Sequence, residues 1–285
     1  MQVPFRLVDV FAGRPLAGNQ LCVVPDPVDL SDQQRQALAL EIGFSETTFV
    51  SRAGGDRYAM RIFTPGSELP FAGHPSLGTA YVLVSEGRVT SPVTQSVKAG
   101  ESQIDVDVAG HFARMRQLPA TFEPPLSARD ELAAAVGLEP KDLHAEWPAQ
   151  TVSTGGAHLM LPARDFEAVE SAVPDAGRLH PLLQDAGAGG VYVFSAEGGH
   201  AKARMFAPDV GITEDPATGS AAGPLGAYLA EHGLLPSGHL TISQGEEVGR
   251  PSTLLVDVER DGSTWAVFVG GGVFVVGSGE FVLPD

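Results

Sequence analysis

The sequence predicts an α+β protein built from two similar domains, each a barrel-like β-sheet wrapped round a central helix. Three observations carry that prediction. Segments recur in the same order in the two halves of the 285-residue chain. Runs of alternating apolar and polar residues, the pattern of half-buried strands, dominate both halves. Each half also holds one mostly apolar stretch opened by proline and closed by glycine, which is how a buried helix reads.

The repeat is specific in its order. RIFTP at 61–65 returns as RMFAP at 204–208, a separation of 204 − 61 = 143. HPSLGTA at 74–80 returns as DPATGSA at 215–221, a separation of 141. Ahead of these, GFSETTFVS at 43–51 matches GAGGVYVFS at 187–195 (144), and GNQLCVVP at 18–25 matches GGAHLMLP at 155–162 (137). Any one match could arise by chance, but four in order point to a duplicated domain.

Each half reads strand, helix, strand, strand, loop, helix, then further strands. Residues 5–11 and 21–24 have strand character. Ser31 and Gln34 form a capping-box pattern before a helix that ends at Gly43. Residues 47–50 and 58–63 alternate as strands. Pro75 suits the first turn of a helix that runs to Glu86 and stops at Gly87. Pro216 takes the same place in the second half, in a longer helix that stops near Gly233 and is expected to bend at Gly223-Pro224. Strands follow at 104–108, 240–243, 253–258, 265–269 and, after Gly270-Gly271-Gly272, at 273–276. The proline-rich stretch 117–125 is the natural crossover. The expected domains are 1–120, to which a strand over about 273–285 can return, and 121–272.

Composition narrows the function. Hydrophobic residues make up 43% and charged residues 19%, a globular balance with material for a core. With 18 basic and 35 acidic residues the formal net charge is −17, and no basic stripe offsets it, so nucleic acid and anionic membranes are poor partners. The single cysteine, Cys22, excludes an internal disulfide and any CxxC site, and it reads as a small buried hydrophobe. The N-terminus lacks the pattern of a signal peptide, and no apolar run approaches the ~20 residues of a membrane span, so the chain is expected to be soluble and cytoplasmic. No Cys/His spacing suggests a metal and no strand, Gly-rich loop and helix suggests a phosphate site. Gly270-Gly271-Gly272 precedes an apolar strand and reads as a strand bend. Neither a metal nor an organic cofactor is expected.

A duplication keeps its core and loses symmetry where chemistry is specialised. Glu46 lies over Gly190, and His74 over Asp215, while Thr79 stays a hydroxyl as Ser220. These positions fall at strand ends and helix starts. Helix starts present backbone N–H groups and partial positive charge, so the segments around Gly73-His74-Pro75 and Glu214-Asp215-Pro216 are candidate anion sites that would face each other if the halves pack with those ends together. Each residue also has a plainer reading. Asp215 could be an N-cap, His74 a hydrogen-bonded spacer, and Glu46 a solvated acid after a helix. The symmetric Arg61 and Arg204 suit a structural role, and Phe63 and Phe206 suit the core.

SETTF at 45–49, FTPGSELPFAGHP at 63–75 and EDPATGSAAGP at 214–224 resemble the signatures of the phenazine-biosynthesis isomerase (PhzF) family. Gly18-Asn19 and the late run from Gln244-Gly245 to Ser252 fit as well, so the resemblance spans nearly the whole chain. It implies the fold of diaminopimelate epimerase, with an active site between two similar domains. That epimerase carries a cysteine at each helix start, and neither matching place has one here, so a two-thiol racemase is excluded.

By the same resemblance Glu46 is the catalytic acid/base, and His74 and Asp215 assist it. Gly73 and Gly219 are backbone donors to the substrate, with Ser220 and Asn19 as further substrate-binding positions. The implied reaction isomerises trans-2,3-dihydro-3-hydroxyanthranilate by moving a proton from C3 to C1, without metal or organic cofactor. A carboxyl enclosed by apolar walls would have a raised pKa and could both take and return that proton. Glu46 is accordingly expected to face His74 and Asp215 across the interdomain cleft. Two alternatives stand beside this: an isomerase or epimerase of another small amino-acid-like carboxylate, and a non-catalytic binding protein. The family resemblance also implies a homodimer. Sedimentation at working concentration should give twice the chain mass, and a monomer would refute that expectation.

Overall fold

The computed structural model describes residues 1–283; the last two residues of the strand expected over 273–285 lie outside the described residues. The chain divides into two compact units, Met1–Arg116 together with the chain from Gly270 onward, and Gln117–Val269. The architecture is the predicted α+β duplication, each unit a curved sheet around one helix.

The first unit runs β1 (Gln2–Val10), β2 (Asn19–Val24), α1 (Asp32–Ile42), β3 (Glu46–Gly54), β4 (Arg57–Phe63), β5 (Glu68–Leu69), α2 (Gly73–Ser85), β6 (Val93–Val97), β7 (Gly100–Asp107) and β8 (Phe112–Arg116). Strand β1 pairs antiparallel with β2, β2 parallel with β3, β3 antiparallel with β4, and β4 parallel with β6, which continues antiparallel through β7 to β8. Ser31 caps α1 with Gln34 completing the capping box, and Gly43 ends it at φ 68°. Helix α1 packs outside the sheet, where Leu38 and Ala39 meet Val3, Val24, Phe49 and Phe63.

The second unit runs β9 (Thr121–Phe122), α3 (Arg129–Ala135), β10 (Gln150–Ser153), β11 (Ala157–Pro162), α4 (Phe166–Ser171), α5 (Ala176–Ala186), β12 (Val191–Glu197), β13 (His200–Ala207), β14 (Ile212–Asp215), α6 (Gly219–Glu231), β15 (His239–Gln244) and β16 (Ser252–Asp261). Its pairings reproduce the first unit: β10 with β11, β11 parallel with β12, β12 with β13, β13 parallel with β15, β15 with β16. Outside the sheet it carries α3, α4 and α5 where the sequence predicts one helix. These are short, and Pro181 inside α5 obscures the helical pattern, although Asp165, Asp175 and the αL Gly187 supply ordinary caps. Leu132, Val169, Leu179 and Leu183 bury this layer against Leu159, Leu161 and Val193.

Two further expectations change. Residues 265–269 and 273–276 are not separate strands: one continuous strand, β17 (Thr264–Val282), passes through Gly270-Gly271-Gly272. Beyond Gly272 it pairs antiparallel with β1, and it also pairs with β8, which closes the first sheet on itself. The glycines are needed for approach, since a Cβ on Gly272 would sit 2.0 Å from the Ala12 carbonyl oxygen. The second correction concerns α6, which is not longer than α2: each has 13 residues and each begins with glycine. Pro216 therefore precedes the helix, and Asp215 ends strand β14 instead of starting α6.

Both central helices are buried almost all round. Every residue of α2 from Gly73 to Leu83 is buried, as is α6 from Ala221 to Leu229. Enclosure by a sheet demands apolar and small residues on all faces, and buried leucines such as Leu77, Leu83 and Leu225 each contribute about 1.5–3 kcal/mol. No helix among the described residues is long and apolar enough to cross a membrane.

The packing at β17 gives a test. Gly272→Ala should destabilise the protein by about 1–3 kcal/mol in denaturant unfolding, because the opposing atom is backbone. Gly13→Ala, with nothing within 4 Å, should change stability by less than about 0.5 kcal/mol. Equal effects would contradict the close approach.

Candidate functional site

In the first unit the parallel register Leu21↔Glu46 brings the starts of β2 and β3 to the same end of the sheet. Helix α2 starts with Gly73, and His74 follows as its second residue. The N-cap, Ala72, has no side chain able to accept from the first turn. Glu46 and His74 are 8% and 6% exposed, and Glu46 Oε2 lies 3.3 Å from His74 Nε2. The approach is off the line of a good hydrogen bond, leaving that carboxyl oxygen buried and poorly satisfied. On the ring's other side, Asn19 Nδ2 lies 3.3 Å from His74 Nδ1, and the Ser45 hydroxyl donates to Asn19 Oδ1 at 3.3 Å. Burial pushes the Glu46 carboxyl up to about 7.

The second unit holds a different set. Asp215 accepts from the Thr218 hydroxyl at 2.5 Å. Gln244 clamps the turn between them, donating to the Asp215 carbonyl (2.7 Å) and the Thr218 hydroxyl (3.0 Å) and accepting from the Thr218 N–H (3.2 Å) and the Tyr192 hydroxyl (2.8 Å). Burial and the Asp215 charge push the Tyr192 phenol up. This network holds residues 215–218 out of the helix, and it is the physical reason why Asp215 is not the N-cap; Thr218 occupies that place. Counted from the helix starts, Gly219 corresponds to Gly73 and Ser220 to His74. The sequence match of His74 to Asp215 follows shared Pro and Gly letters; by the same count Asp215 corresponds to Leu69 and Pro216 to Pro70.

Ser220 Oγ lies 3.0 Å from His158 Nε2, and burial pushes the His158 ring down to about 4, keeping it neutral. Gln117 donates to the Gly219 carbonyl at 2.9 Å and accepts from Thr154. The structure thus brings Asn19, Glu46, His74 and Gly73 together in one unit and Asp215, Gly219 and Ser220 in the other. Glu46 meets His74 inside a single unit. Sequence reasoning passed over Ser45, His158, Tyr192 and Thr218. His158 left a signal, since in the repeat it lies over the apolar Leu21. Among the described residues, His, Cys, Asp and Glu do not gather into a group that could hold a metal ion.

Comparison with known proteins gives first the class. The chain is an isomerase. It is 37% identical over 275 residues to the trans-2,3-dihydro-3-hydroxyanthranilate isomerase of Pseudomonas aeruginosa, covering 90% of this chain and 91% of that one. It is 32% identical to the uncharacterized isomerase YddE of Salmonella typhimurium, over 97% of each. A crystal structure of a Bacillus anthracis phenazine biosynthesis protein of the PhzF family superposes with a TM-score of 0.90 at 29% identity, covering 99% of this chain and all of that one. Residues 8–279 match the model of the phenazine biosynthesis-like (PhzC-PhzF) family, and the chain belongs to that family.

The raised carboxyl has a consequence for stability. A folded-state pKa of about 7 against an ordinary 4.5 means that folding favours the neutral form. The associated stability is full below about pH 4.5 and is lost as pH rises through about 7, roughly 3 kcal/mol in all. Glu46→Gln removes that titration. The variant should become more stable than the parent progressively between pH 4.5 and 7, with a constant gap above. Thermal melts of both proteins across that range check it; a gap independent of pH would contradict the burial argument.

Proposed function

We propose that the protein moves a proton on a small cyclic amino-acid-like substrate by general acid/base catalysis at Glu46, the substrate being trans-2,3-dihydro-3-hydroxyanthranilate. The observation that carries this reading is the buried Glu46 carboxyl, held near neutrality beside His74 at the start of α2. A carboxyl with a pKa of about 7 is half ionised at neutral pH. As carboxylate it takes the proton from C3, and as acid it returns a proton at C1. His74 can donate to the carboxylate while it is charged. The helix start offers backbone N–H groups to a substrate carboxylate, a local attraction that opposes the net charge of −17. In the second unit we assign Asp215 and Ser220 to the substrate's polar groups. No metal or organic cofactor enters this scheme. Action as a homodimer in the cytoplasm belongs to the same reading.

A second reading keeps the chemistry and changes the substrate. The similarity to the uncharacterized isomerase YddE is as extensive as that to the dihydrohydroxyanthranilate isomerase. Under this reading the substrate is another small amino-acid-like carboxylate.

Incubation with trans-2,3-dihydro-3-hydroxyanthranilate, followed by ultraviolet absorbance, separates the two. Turnover supports the first; inertness toward it, with turnover of another such carboxylate, supports the second. On the accepted substrate, Glu46→Gln should lower kcat by at least about 10²-fold with binding largely kept. Asp215→Asn should weaken both binding and turnover. Product formed in heavy water should carry deuterium at the carbon that receives the proton. A Glu46→Gln variant with most of its activity would sink the acid/base assignment.

A further inference from the structure

The strand residue that lies against the helix start comes from a different strand in each unit. In the first, the register Leu21↔Glu46 sets an apolar side chain on β2 beside the acid on β3. In the second, β11 and β12 pair in the matching parallel register, Leu159↔Val191, one step beyond His158 and Gly190. His158 therefore stands where the first unit has Leu21, and Gly190 where it has Glu46. The second residue of each central helix lies beside a polar strand residue, His74 beside Glu46 and Ser220 beside His158, but that residue has moved one strand across.

Packing alone does not account for the histidine. Leu159 and Leu161 turn to the outer helical layer, while His158, on the opposite face of β11, is buried toward α6. Its Nε2 lies 3.0 Å from Ser220 Oγ, and its Nδ1 is buried without a hydrogen bond to the described residues. Burying an imidazole with one nitrogen unpaired is unfavourable, where the first unit's leucine has nothing to satisfy. Gly156 leaves room for the pair, since a Cβ there would sit 3.3 Å from Nε2 and 3.6 Å from Ser220 Cβ.

The backbone of this helix start is fixed by other groups. Gln117 holds the Gly219 carbonyl, and Gln244 holds the Thr218 N–H. Those bonds leave the half-buried Ser220 side chain free to rotate about Cα–Cβ. We propose that His158 is a positioning residue that removes this freedom, holding the Ser220 hydroxyl in one rotamer at the start of α6 for the substrate. The inference rests on reading Ser220 as a substrate-binding residue. A hydroxyl has one proton and two lone pairs, so a single bond to the ring leaves capacity for a ligand whichever atom donates. Burial keeps the ring neutral, so it fixes the hydroxyl without adding charge. His158 thus acts through Ser220.

The test is steady-state kinetics with trans-2,3-dihydro-3-hydroxyanthranilate for His158→Leu, Ser220→Ala and the double variant. Each single change should raise KM by about 3–10-fold, the worth of one neutral hydrogen bond, with kcat much less affected. The double variant should be no worse than Ser220→Ala alone, because the ring has then lost the group it holds. His158→Gln, whose amide can reach the hydroxyl, should bring KM back toward the parent. Single effects that multiply in the double variant, or a His158→Leu enzyme that loses kcat with KM unmoved, overturn the proposal. A Ser220→Ala enzyme with the parent KM overturns it by a different route, by removing Ser220 from the substrate. Should the leucine variant fail to fold, or the compound not be turned over, nitrogen NMR of the full-length protein labelled with 15N-histidine decides. The His158 ring is assigned by its loss in His158→Gln, and its Nε2 resonance should move when Ser220→Ala removes the hydroxyl. An unmoved resonance overturns the proposal.

Discussion

The constraint from which the rest follows is that each central helix is enclosed by its own sheet. A helix buried on all sides can satisfy its interior backbone internally, but its first N–H groups have no intrahelical partner. An exposed helix meets that need with a polar cap and water. Here α1 does so through Ser31 and Gln34, whereas α2 begins behind Ala72 and α6 behind Thr218, whose hydroxyl is turned to Asp215. The start of each central helix thus lacks a capping bond from its N-cap side chain. The polar residues that an apolar interior would otherwise reject, Asn19, Glu46 and His74 in one unit and His158, Asp215 and Gln244 in the other, cluster at those starts.

The duplicated frame itself is fixed by a device repeated in both units. Arg61 forks onto Glu68 at 2.7 and 2.8 Å, and Arg204 onto Glu214 at 2.8 and 2.7 Å. Each guanidinium also lies over the ring two residues on, Phe63 at 5.1 Å and Phe206 at 5.0 Å. Bidentate pairing and stacking suit arginine's planar fork. Each fork ties a strand to the segment that leads toward the helix start, β4 to β5 and β13 to β14. Arginine, phenylalanine and proline are therefore the letters that recur, and a repeat built on them is legible without a structure.

Legibility fails where the controlling contact is distant in sequence. Ser31, Gln34 and Gly43 are local signals, and the boundaries of α1 follow from them. The start of α6 does not, because Gln244, some thirty residues later, holds Asp215 and Thr218 in an extended turn that shared Pro and Gly letters conceal. For the same reason Glu46 could be singled out by its broken symmetry, but its raised pKa could not, since that depends on burial, which only the folded chain supplies.

The broken symmetry has a steric origin as well as a chemical one. The pairings Thr47↔Phe63 and Val191↔Phe206 make Gly190 the counterpart of Glu46. A Cβ on Gly190 would sit 2.5 Å from the Met205 methyl, 2.7 Å from the Phe206 carbonyl oxygen and 3.0 Å from Ala207 Cβ. The second unit has filled with hydrophobic packing the space that the first gives to a carboxylate. A carboxyl at the position of Gly190, the strict counterpart of Glu46, is thereby closed to the second unit by volume. On the reading proposed above, Glu46 then serves as both base and acid, a task that suits a carboxyl held near neutrality.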